Sequence, residues 1–420
     1  MSQILVRNIS QLITNAPMAS SRKFHQITED DLGRIENAWL LIKDGKVSNF
    51  GSGIPPKGKG SDQIIDAQNQ LVIPGLIDCH THPLFGGCRA HEFAQRLGGK
   101  TYTEIASAGG GIKFTVSETR KTPTQTLLDS CRERLIKFMS YGVTTIEVKS
   151  GYGLTVEEEL RHLRIYQKLN NELPATLGVT CLALHALPPE AKIDDFVKKM
   201  TDELLPIVAE EKLANWVDAF VEEGYFSVAD VDPFMRKAKE LGLKIRVHAD
   251  EFSDSKAGLA AANWNAVSAD HLEKTPAAAI EQMARKGVVA VLLPGTSLYT
   301  KIPYALAKPF LTAGCPVAIA TDYNPGSCQI DNLPLIATMG GIHCGLSGAQ
   351  TIAAVTYIAA KAMDMESSKG ALAKGFDGDF LITPFQTLEQ WLADPGQKPP
   401  RHVFINGACV ISQSAPQISR

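Results

Sequence analysis

Apolar, β-branched runs alternate with amphipathic stretches through the middle of this chain of 420 residues. Two stretches with the period of an amphipathic helix are 124–141 and 155–170, and the second begins with Thr155 and Glu158, a pattern typical of a capping box. Strands that alternate with helices form parallel βαβ units, and eight units over about 270 residues predict an α/β fold of the (β/α)8 TIM-like barrel type. The runs predict eight buried strands, at 76–80, 145–149, 179–185, 219–222, 244–248, 266–271, 288–293 and 317–322.

The two ends of the chain carry shorter runs that are typical of a separate β domain. An Asp44-Gly45 turn between two of these runs predicts a β-hairpin. We therefore expect a small β-sandwich domain built from both termini, residues 1–73 and 366–420, beside a barrel of residues 74–365. The predicted strands of this domain lie within 39–50, 64–72, 376–383 and 402–407.

Histidines and one aspartate stand where the predicted barrel strands end. The most specific group is His80-Thr-His82, because positions i and i+2 of an extended backbone share a face. Two neutral imidazoles that point the same way suit a divalent metal ion. Barrel active sites lie at the C-terminal ends of the strands, so we expect all of these side chains to converge there. The other residues of this kind are His185, His248, His271 and Asp322.

Composition argues against a nucleic-acid-binding, membrane-spanning or secreted protein. The sequence is 44% hydrophobic and 21% charged, and its formal net charge of −3 gives no reason to expect nucleic acid or an anionic membrane as a partner. No apolar stretch has the length of a membrane span, and residues 1–16 lack the pattern of a signal peptide. The eight cysteines form no C-x-x-C pair, which is typical of reduced thiols. We therefore expect a cytoplasmic location.

Several short segments carry a resemblance to a known family. The first is PGLIDCHTH at 74–82, which is followed by a late histidine and aspartate; the more specific ones are DCHTHPLFGGCR (78–89), EFAQR (92–96), GGGIKFTV (109–116), EVKSGYG (147–153), HADE (248–251) and DYNPGS (322–327). The chain resembles the metal-dependent amidohydrolase superfamily and, within it, the imidazolonepropionases, over about residues 35 to 415. The resemblance implies an enzyme of histidine degradation that opens the cyclic amide of 4-imidazolone-5-propanoate to give N-formimidoyl-L-glutamate.

The resemblance also implies a cofactor and a set of substrate contacts. One Zn2+ or Fe3+ per subunit would be held by His80, His82, His248 and Asp322, which leaves a position for water. Arg89 would bind the propionate group, because a planar guanidinium suits a carboxylate. The family further suggests a homodimer. The residues that match its substrate and product contacts are Arg89, Tyr152, His185, Glu251, Asn324, Gly326 and Ser327.

A mechanism follows as a hypothesis. Asp322 takes a proton from the attacking water, while His271 orients that water or supports the developing oxyanion. Glu251 holds the ring N–H and helps to protonate the leaving nitrogen. The sequence leaves open how the work is divided among these three residues.

Two positions bear on the number of metal ions, and one segment bears on access to the site. Lys149 ends the second predicted strand, whereas binuclear relatives use a carboxylated lysine of the fourth strand, so we expect a structural role for it. Glu222, at the end of the fourth predicted strand, is the alternative ligand for a second ion.

The segment Gly109–Gly111 lacks the Gly-Lys-Ser/Thr of a phosphate-binding loop. About 40 residues separate His82 from the next predicted helix, so we expect a long loop with a mobile lid.

Two other functions stay open. The first is a guanine or cytosine deaminase with the same barrel and ligands, against which Arg89 argues, because an aminopurine has no carboxylate to bind. The second is a non-catalytic amidohydrolase-like scaffold, against which the four retained metal ligands argue. We assign the remaining histidines to surface or scaffold positions: His25, His91, His162, His343 and His402.

Overall fold

The structure is a computed structural model that describes residues 3–55, 63–100, 104–105 and 109–412. Its strands form two sheets, one of seven strands and one of eight. In chain order they are β1 (Gln3–Leu12), β2 (Ile35–Lys43), β3 (Lys46–Ser52), β4 (Gln63–Pro74), β5 (Leu76–Asp78), β6 (Val143–Lys149), β7 (Thr176–Leu184), β8 (Trp216–Val221), β9 (Lys244–Ala249), β10 (Ser268–His271), β11 (Val289–Leu292), β12 (Val317–Ile319), β13 (Phe380–Ile382), β14 (His402–Ile405) and β15 (Ala408–Ser412).

Strands β5 to β12 form a parallel barrel in chain order, and they correspond to the eight predicted strands. Nearly all of their residues are buried, as expected for strands covered on both faces. The segments that follow the first and last strands meet through an isolated parallel bridge between Thr81 and Tyr323. The N–H of Asp322 also donates to the carbonyl oxygen of His80 at 3.0 Å. The barrel therefore closes at the two segments that carry predicted metal ligands.

Helices connect the strands and bury their apolar faces against the barrel. Among the described residues, no helix is both long and apolar enough to cross a bilayer. In chain order the helices are α1 (Ala16–Ser21), α2 (Ala90–Leu97), α3 (Ile112–Lys121), α4 (Thr124–Ser140), α5 (Val156–Glu172), α6 (Ile193–Lys199), α7 (Leu205–Glu210), α8 (Val228–Glu240), α9 (Ala257–Trp264), α10 (Ala277–Lys286), α11 (Pro294–Thr300), α12 (Ala307–Ala313), α13 (Leu333–His343), α14 (Gly348–Ala354), α15 (Tyr357–Ala362) and α16 (Leu388–Ala393), with a 3-10 turn at Glu29–Leu32 and a π-helical turn at Met200–Leu204.

The two predicted helices are present as α4 and α5. The hydroxyl of Thr155 accepts a hydrogen bond from the Glu158 N–H at 3.2 Å, which caps the start of α5. The other hydrogen bond of a capping box, from the Thr155 N–H to the Glu158 side chain, is absent, because the Glu158 carboxylate forms an ion pair with Arg161 at 2.6 Å instead.

The segment between β5 and α4 differs from the long loop that we predicted, because it contains α2 and α3. These helices bury polar side chains: Glu92 and Arg96 on α2, and Thr115 and Thr119 on α3. Buried polar residues interrupt the apolar period by which a helix is recognised from sequence. Gly111 directly precedes α3. Movement of Gly109–Gly111 as a lid stays a prediction.

The seven-stranded sheet unites the two ends of the chain, in the order β15-β14-β13-β4-β1-β2-β3. Strand β4 pairs in parallel with β1 and antiparallel with β13, which joins N-terminal to C-terminal strands. We expected a sandwich, and the strands are hydrogen-bonded as one mixed sheet. Val47 of β3 and Phe404 of β14 nevertheless share one hydrophobic cluster, so the sheet encloses its own core. The residue boundaries that we gave for the two domains stay predictions.

Candidate active site

His80, His82 and His248 form a cluster at the C-terminal end of the barrel. One ligand nitrogen from each lies within 4.8 Å of the other two. His80 Nε2 is 3.2 Å from His82 Nε2, and Asp322 Oδ1 is 3.4 Å from each of these nitrogens. All four side chains are buried. The backbone just after β5 and β12 and within β9 supplies them, so these four residues meet as the sequence predicted.

This donor set fits a metal ion, because a buried carboxylate is hydrogen-bonded to the far side of the His80 ring and a second carboxylate lies close to the far side of the His248 ring. His80 Nδ1 donates to Asp270 Oδ2 at 2.7 Å, and His248 Nδ1 lies 3.0 Å from Asp218 Oδ2. A carboxylate at Nδ1 fixes the tautomer that leaves Nε2 available for a metal. Among the described residues, neither ring nitrogen of His248 makes a hydrogen bond, although Nδ1 lies close to Asp218. A buried polar atom without a partner is costly, and a bound cation would satisfy it.

The ionisation of these groups also suits a cation. Burial lowers the pKa of His82, and burial together with His80 lowers the pKa of His248 well below its usual value. Burial would raise the pKa of Asp322, but hydrogen bonds from His80 and His82 hold it well below the usual range. Burial and Lys149 lower the pKa of His80, yet Asp270 and Asp322 outweigh them and raise it to about 9. The two carboxylates thus favour a positive charge at His80 Nε2, which a proton or a metal ion supplies.

A buried network of charges lies beneath the histidines. Lys149 Nζ donates to Glu147 Oε1 at 2.7 Å and to Asp218 Oδ2 at 2.8 Å. Arg246 Nη2 lies 3.2 Å from Asp270 Oδ2. Burial would lower the pKa of Lys149, but Asp218 and Glu147 keep it raised. Lys149 is therefore an ammonium ion within this network, and its structural role stays a prediction.

Glu222 lies outside the histidine cluster and holds the backbone that carries Glu251. Its carboxylate accepts hydrogen bonds from the N–H groups of Glu223 and Phe252, both at 2.9 Å, and from the Ser253 hydroxyl. These contacts occupy the oxygens that a second metal ion would need.

A pocket opens beside the histidine cluster and contains most of the predicted site residues. His80 and Gly326 are the two predicted site residues that do not line it. Four lining residues were not predicted: Ile112, Phe220, Tyr225 and Phe252. The full lining consists of His82, Arg89, Ile112, Tyr152, His185, Phe220, Tyr225, His248, Glu251, Phe252, His271, Asp322, Asn324 and Ser327.

Aromatic rings form one wall of the pocket. The His185 ring stacks on the His82 ring at a centroid distance of 5.2 Å, and Tyr152 lies 5.3 Å from His185. His185 Nδ1 is 3.1 Å from the Gly151 carbonyl oxygen, so Nδ1 carries the proton and donates it. Burial and His82 lower the pKa of His185 to about 3. His185 is therefore neutral, and its Nε2 is an acceptor.

Glu251 and His271 lie next to each other in the lining of the pocket. His271 Nδ1 is 3.7 Å from Glu251 Oε2. Burial and the neighbouring Glu273 raise the pKa of Glu251 well above its usual value, whereas burial lowers the pKa of His271 to about 4. A carboxylic acid and a neutral imidazole therefore face the same space, as a proton donor and a proton acceptor. His271 has φ +80° and Asp322 has φ +50°, and backbone strain of this kind clusters at functional sites.

Asn324 shapes the segment after Asp322. Its Oδ1 accepts from the N–H groups of Gly326 and Ser327 at 2.8 and 2.7 Å. Its Nδ2 donates to the Asp322 carbonyl oxygen at 2.7 Å and to the Ser327 hydroxyl at 2.8 Å. This turn brings Ser327 to the pocket wall.

Comparison with known proteins places the chain among hydrolases. The model of the Amidohydrolase family matches residues 108–411. The imidazolonepropionase of Alkaliphilus metalliredigens is 39% identical over 389 residues, which cover 91% of this chain and 92% of that protein. The imidazolonepropionase of Idiomarina loihiensis is also 39% identical, over 92% of this chain and 96% of that protein.

Solved structures share the fold at low sequence identity. A triazine hydrolase variant has a TM-score of 0.76 and 15% identity, over 98% of this chain and 95% of that chain. The 5-methylcytosine deaminase of Klebsiella pneumoniae has a TM-score of 0.74 and 16% identity, over 98% and 99%. The atrazine chlorohydrolase of Arthrobacter aurescens, complexed with zinc, has a TM-score of 0.74 and 15% identity, over 99% and 97%. These structures support the barrel with its additional sheet.

Proposed function

Because this chain belongs to the imidazolonepropionase family of amidohydrolases, we propose that it hydrolyses the ring amide of 4-imidazolone-5-propanoate to N-formimidoyl-L-glutamate. One structural observation supports this substrate independently of the family assignment. The pocket that borders the histidine cluster also contains a buried arginine, Arg89. A substrate with a hydrolysable ring and a carboxylate tail matches both features.

Substrate binding divides between the two ends of the pocket. Arg89 binds the propionate through its guanidinium. Tyr152 and His185 flank the planar ring, and the neutral His185 offers Nε2 as an acceptor. Glu251 contacts a ring nitrogen. The contacts that we propose for Asn324, Gly326 and Ser327 come from the turn beside Asp322.

His80, His82, His248 and Asp322 would hold one Zn2+ or Fe3+ per subunit. When bound, such an ion polarises the ring carbonyl and lowers the pKa of water toward about 7. The zinc complex of the atrazine chlorohydrolase supports zinc as a candidate. Lys149 and Glu222 are engaged elsewhere, which supports a single ion.

Three residues handle protons. The Thr296 hydroxyl donates to Asp322 Oδ2 at 2.5 Å, which turns Oδ1 toward the histidines. Asp322 accepts the proton of the attacking water, and the neutral His271 orients that water. Glu251, whose raised pKa keeps it protonated, donates to the leaving nitrogen as the ring opens.

A substrate panel tests this function. Purified protein is given imidazolone propanoate, guanine and cytosine, and the products are identified by mass spectrometry. We expect ring opening of the first compound alone. Ammonia release from guanine or cytosine would establish the deaminase alternative, and no turnover by metal-loaded protein would establish the scaffold.

Two further proposals concern location and assembly; the first rests on the pattern of cysteines and the second on the family resemblance. The first is a cytoplasmic location, which fractionation of cells would test. The second is a homodimer, which light scattering on the purified protein would test.

A further inference from the structure

Glu92 holds the guanidinium of Arg89 from one side. Its Oε2 accepts from Arg89 Nε at 2.9 Å and from Arg89 Nη2 at 2.8 Å. Its Oε1 accepts from the Gly111 N–H at 3.0 Å. Both charged side chains are almost fully buried, at 5% exposure for Arg89 and 3% for Glu92. One carboxylate therefore joins the proposed substrate-binding arginine to the backbone at the start of α3.

Gly326 makes room for the same guanidinium from the other side. A Cβ at this position would lie 1.9 Å from Arg89 Nη1 and 2.5 Å from Arg89 Cζ. The carbonyl oxygen of Gly326 accepts from Arg96 Nη2 at 2.7 Å, which fixes this backbone in place. Arg89 directly precedes α2, and Glu92 and Arg96 follow it at i+3 and i+7, a spacing that places side chains on one side of a helix. The guanidinium thus occupies space that a side chain at 326 would take.

We propose that Glu92 and Gly326 are positioning residues that aim Arg89 at the carboxylate of the substrate and thereby set the preference for carboxylate-bearing rings. This inference rests on the proposed function. Positioning and simple charge make opposite predictions. The carboxylate of Glu92 partly neutralises Arg89, so removing its charge would strengthen carboxylate binding if net charge alone governed it. If positioning governs, the same change weakens binding.

Glu92→Gln separates the two cases. The two oxygens of Glu92 accept from Arg89 and from the Gly111 N–H, respectively, and an amide has an acceptor oxygen at only one of these two positions and an NH2 group at the other. We expect KM for imidazolone propanoate to rise roughly tenfold, which corresponds to about 1.4 kcal/mol, with kcat within about twofold. An imidazolone without the propionate should show no change in kcat/KM. Binding of imidazole-4-propanoate, measured by calorimetry, should weaken by the same factor.

Gly326→Ala provides the second arm in case Glu92→Gln does not fold. It should raise KM for the propanoate substrate in the wild-type background and raise it by a much smaller factor in an Arg89→Ala background. Gly98→Ala is the matched control, since it lies at the end of α2 and its nearest neighbour would be 3.3 Å away.

The inference is wrong if KM of Glu92→Gln is unchanged or lower, if both substrates lose activity equally, or if the effects of Gly326→Ala and Arg89→Ala are additive. Wild-type protein that does not open the ring would instead overturn the proposed function itself.

Discussion

Asp270 contacts no substrate in our account, yet we expect it to control metal affinity. Its Oδ2 accepts from His80 Nδ1 at 2.7 Å and lies 3.2 Å from Arg246 Nη2, while its Oδ1 accepts from the Ser268 hydroxyl at 2.7 Å. Burial opposes ionisation, but Arg246 and His80 hold the pKa of Asp270 well below its usual range. The carboxylate is therefore charged at the pH of any practical assay.

Asp270→Asn removes this charge and one of the two acceptor oxygens. If the amide oxygen faces His80, the tautomer is kept, but the imidazole loses the anion that makes it a stronger ligand. If the amide NH2 faces His80, two donors meet unless Nδ1 loses its proton. This favours the tautomer with the proton on Nε2, which cannot bind a metal through Nε2. Changes in such partners typically cost 10–100-fold in metal affinity, or about 1.4–2.7 kcal/mol.

Competition with a chromophoric chelator measures this affinity directly. Ser268→Ala is the control, since it removes a neutral hydrogen bond to the same carboxylate and should change the affinity less than about threefold. Thermal unfolding of the metal-free proteins reports any loss of scaffold stability. An Asp270→Asn protein that binds Zn2+ within twofold of wild type would refute the reasoning.

Further predictions concern four single side chains. Arg89→Lys should lower kcat/KM by a factor that corresponds to about 1.5–3 kcal/mol, because an ammonium cannot reproduce a bidentate contact with the substrate carboxylate. The kcat/KM for a substrate without the carboxylate should not change, and an equal loss on both substrates would mean that Arg89 acts through folding. Glu251→Gln should keep its metal and lose about 10²–10⁴ in rate, and Asp322→Asn should lose a similar factor once its rate is divided by metal occupancy; near-native turnover per metal would remove that residue from proton transfer. His162 is buried without a hydrogen-bond partner among the described residues, and burial lowers its pKa to about 3. In the unfolded chain His162 takes up a proton below about pH 6.5, whereas in the folded protein it stays neutral down to about pH 3, so the free energy of unfolding decreases as the pH falls between these values. Wild-type protein should therefore lose stability between pH 7 and pH 5, and His162→Leu should lose about 2 kcal/mol less over the same interval, measured by urea unfolding.

The barrel could be predicted because its strands are short apolar runs that end in polar side chains. The apolar run before His80 and the later ones before His248 and Asp322 place the ligands at one end of the barrel, whatever the exact register. Strand β1 was missed, since charged and polar residues such as Arg7 and Asn8 interrupt its apolar pattern. Its assignment depends on pairing with β2 and β4, which a single sequence does not reveal.

The supporting residues of the site were harder to predict. Asp218, Asp270 and Arg246 are polar residues within barrel strands that are covered on both faces, and each is fully buried. Such residues must be paired inside a covered barrel, so their presence was a usable signal. Their partners were not predictable, because each pair joins different strands. Glu92 was likewise hidden, since its importance comes from contacts with Arg89 and with the distant Gly111.

The most direct test of the central claim is a metal titration of ring opening. Protein stripped with a chelator receives Zn2+ or iron in fractional equivalents, while hydrolysis of imidazolone propanoate and bound metal are measured on the same samples. Our account predicts that activity rises in proportion to bound metal and stops rising at about one ion per chain, as expected for one His3Asp site. Full activity without metal, or a break near two ions per chain, would contradict it.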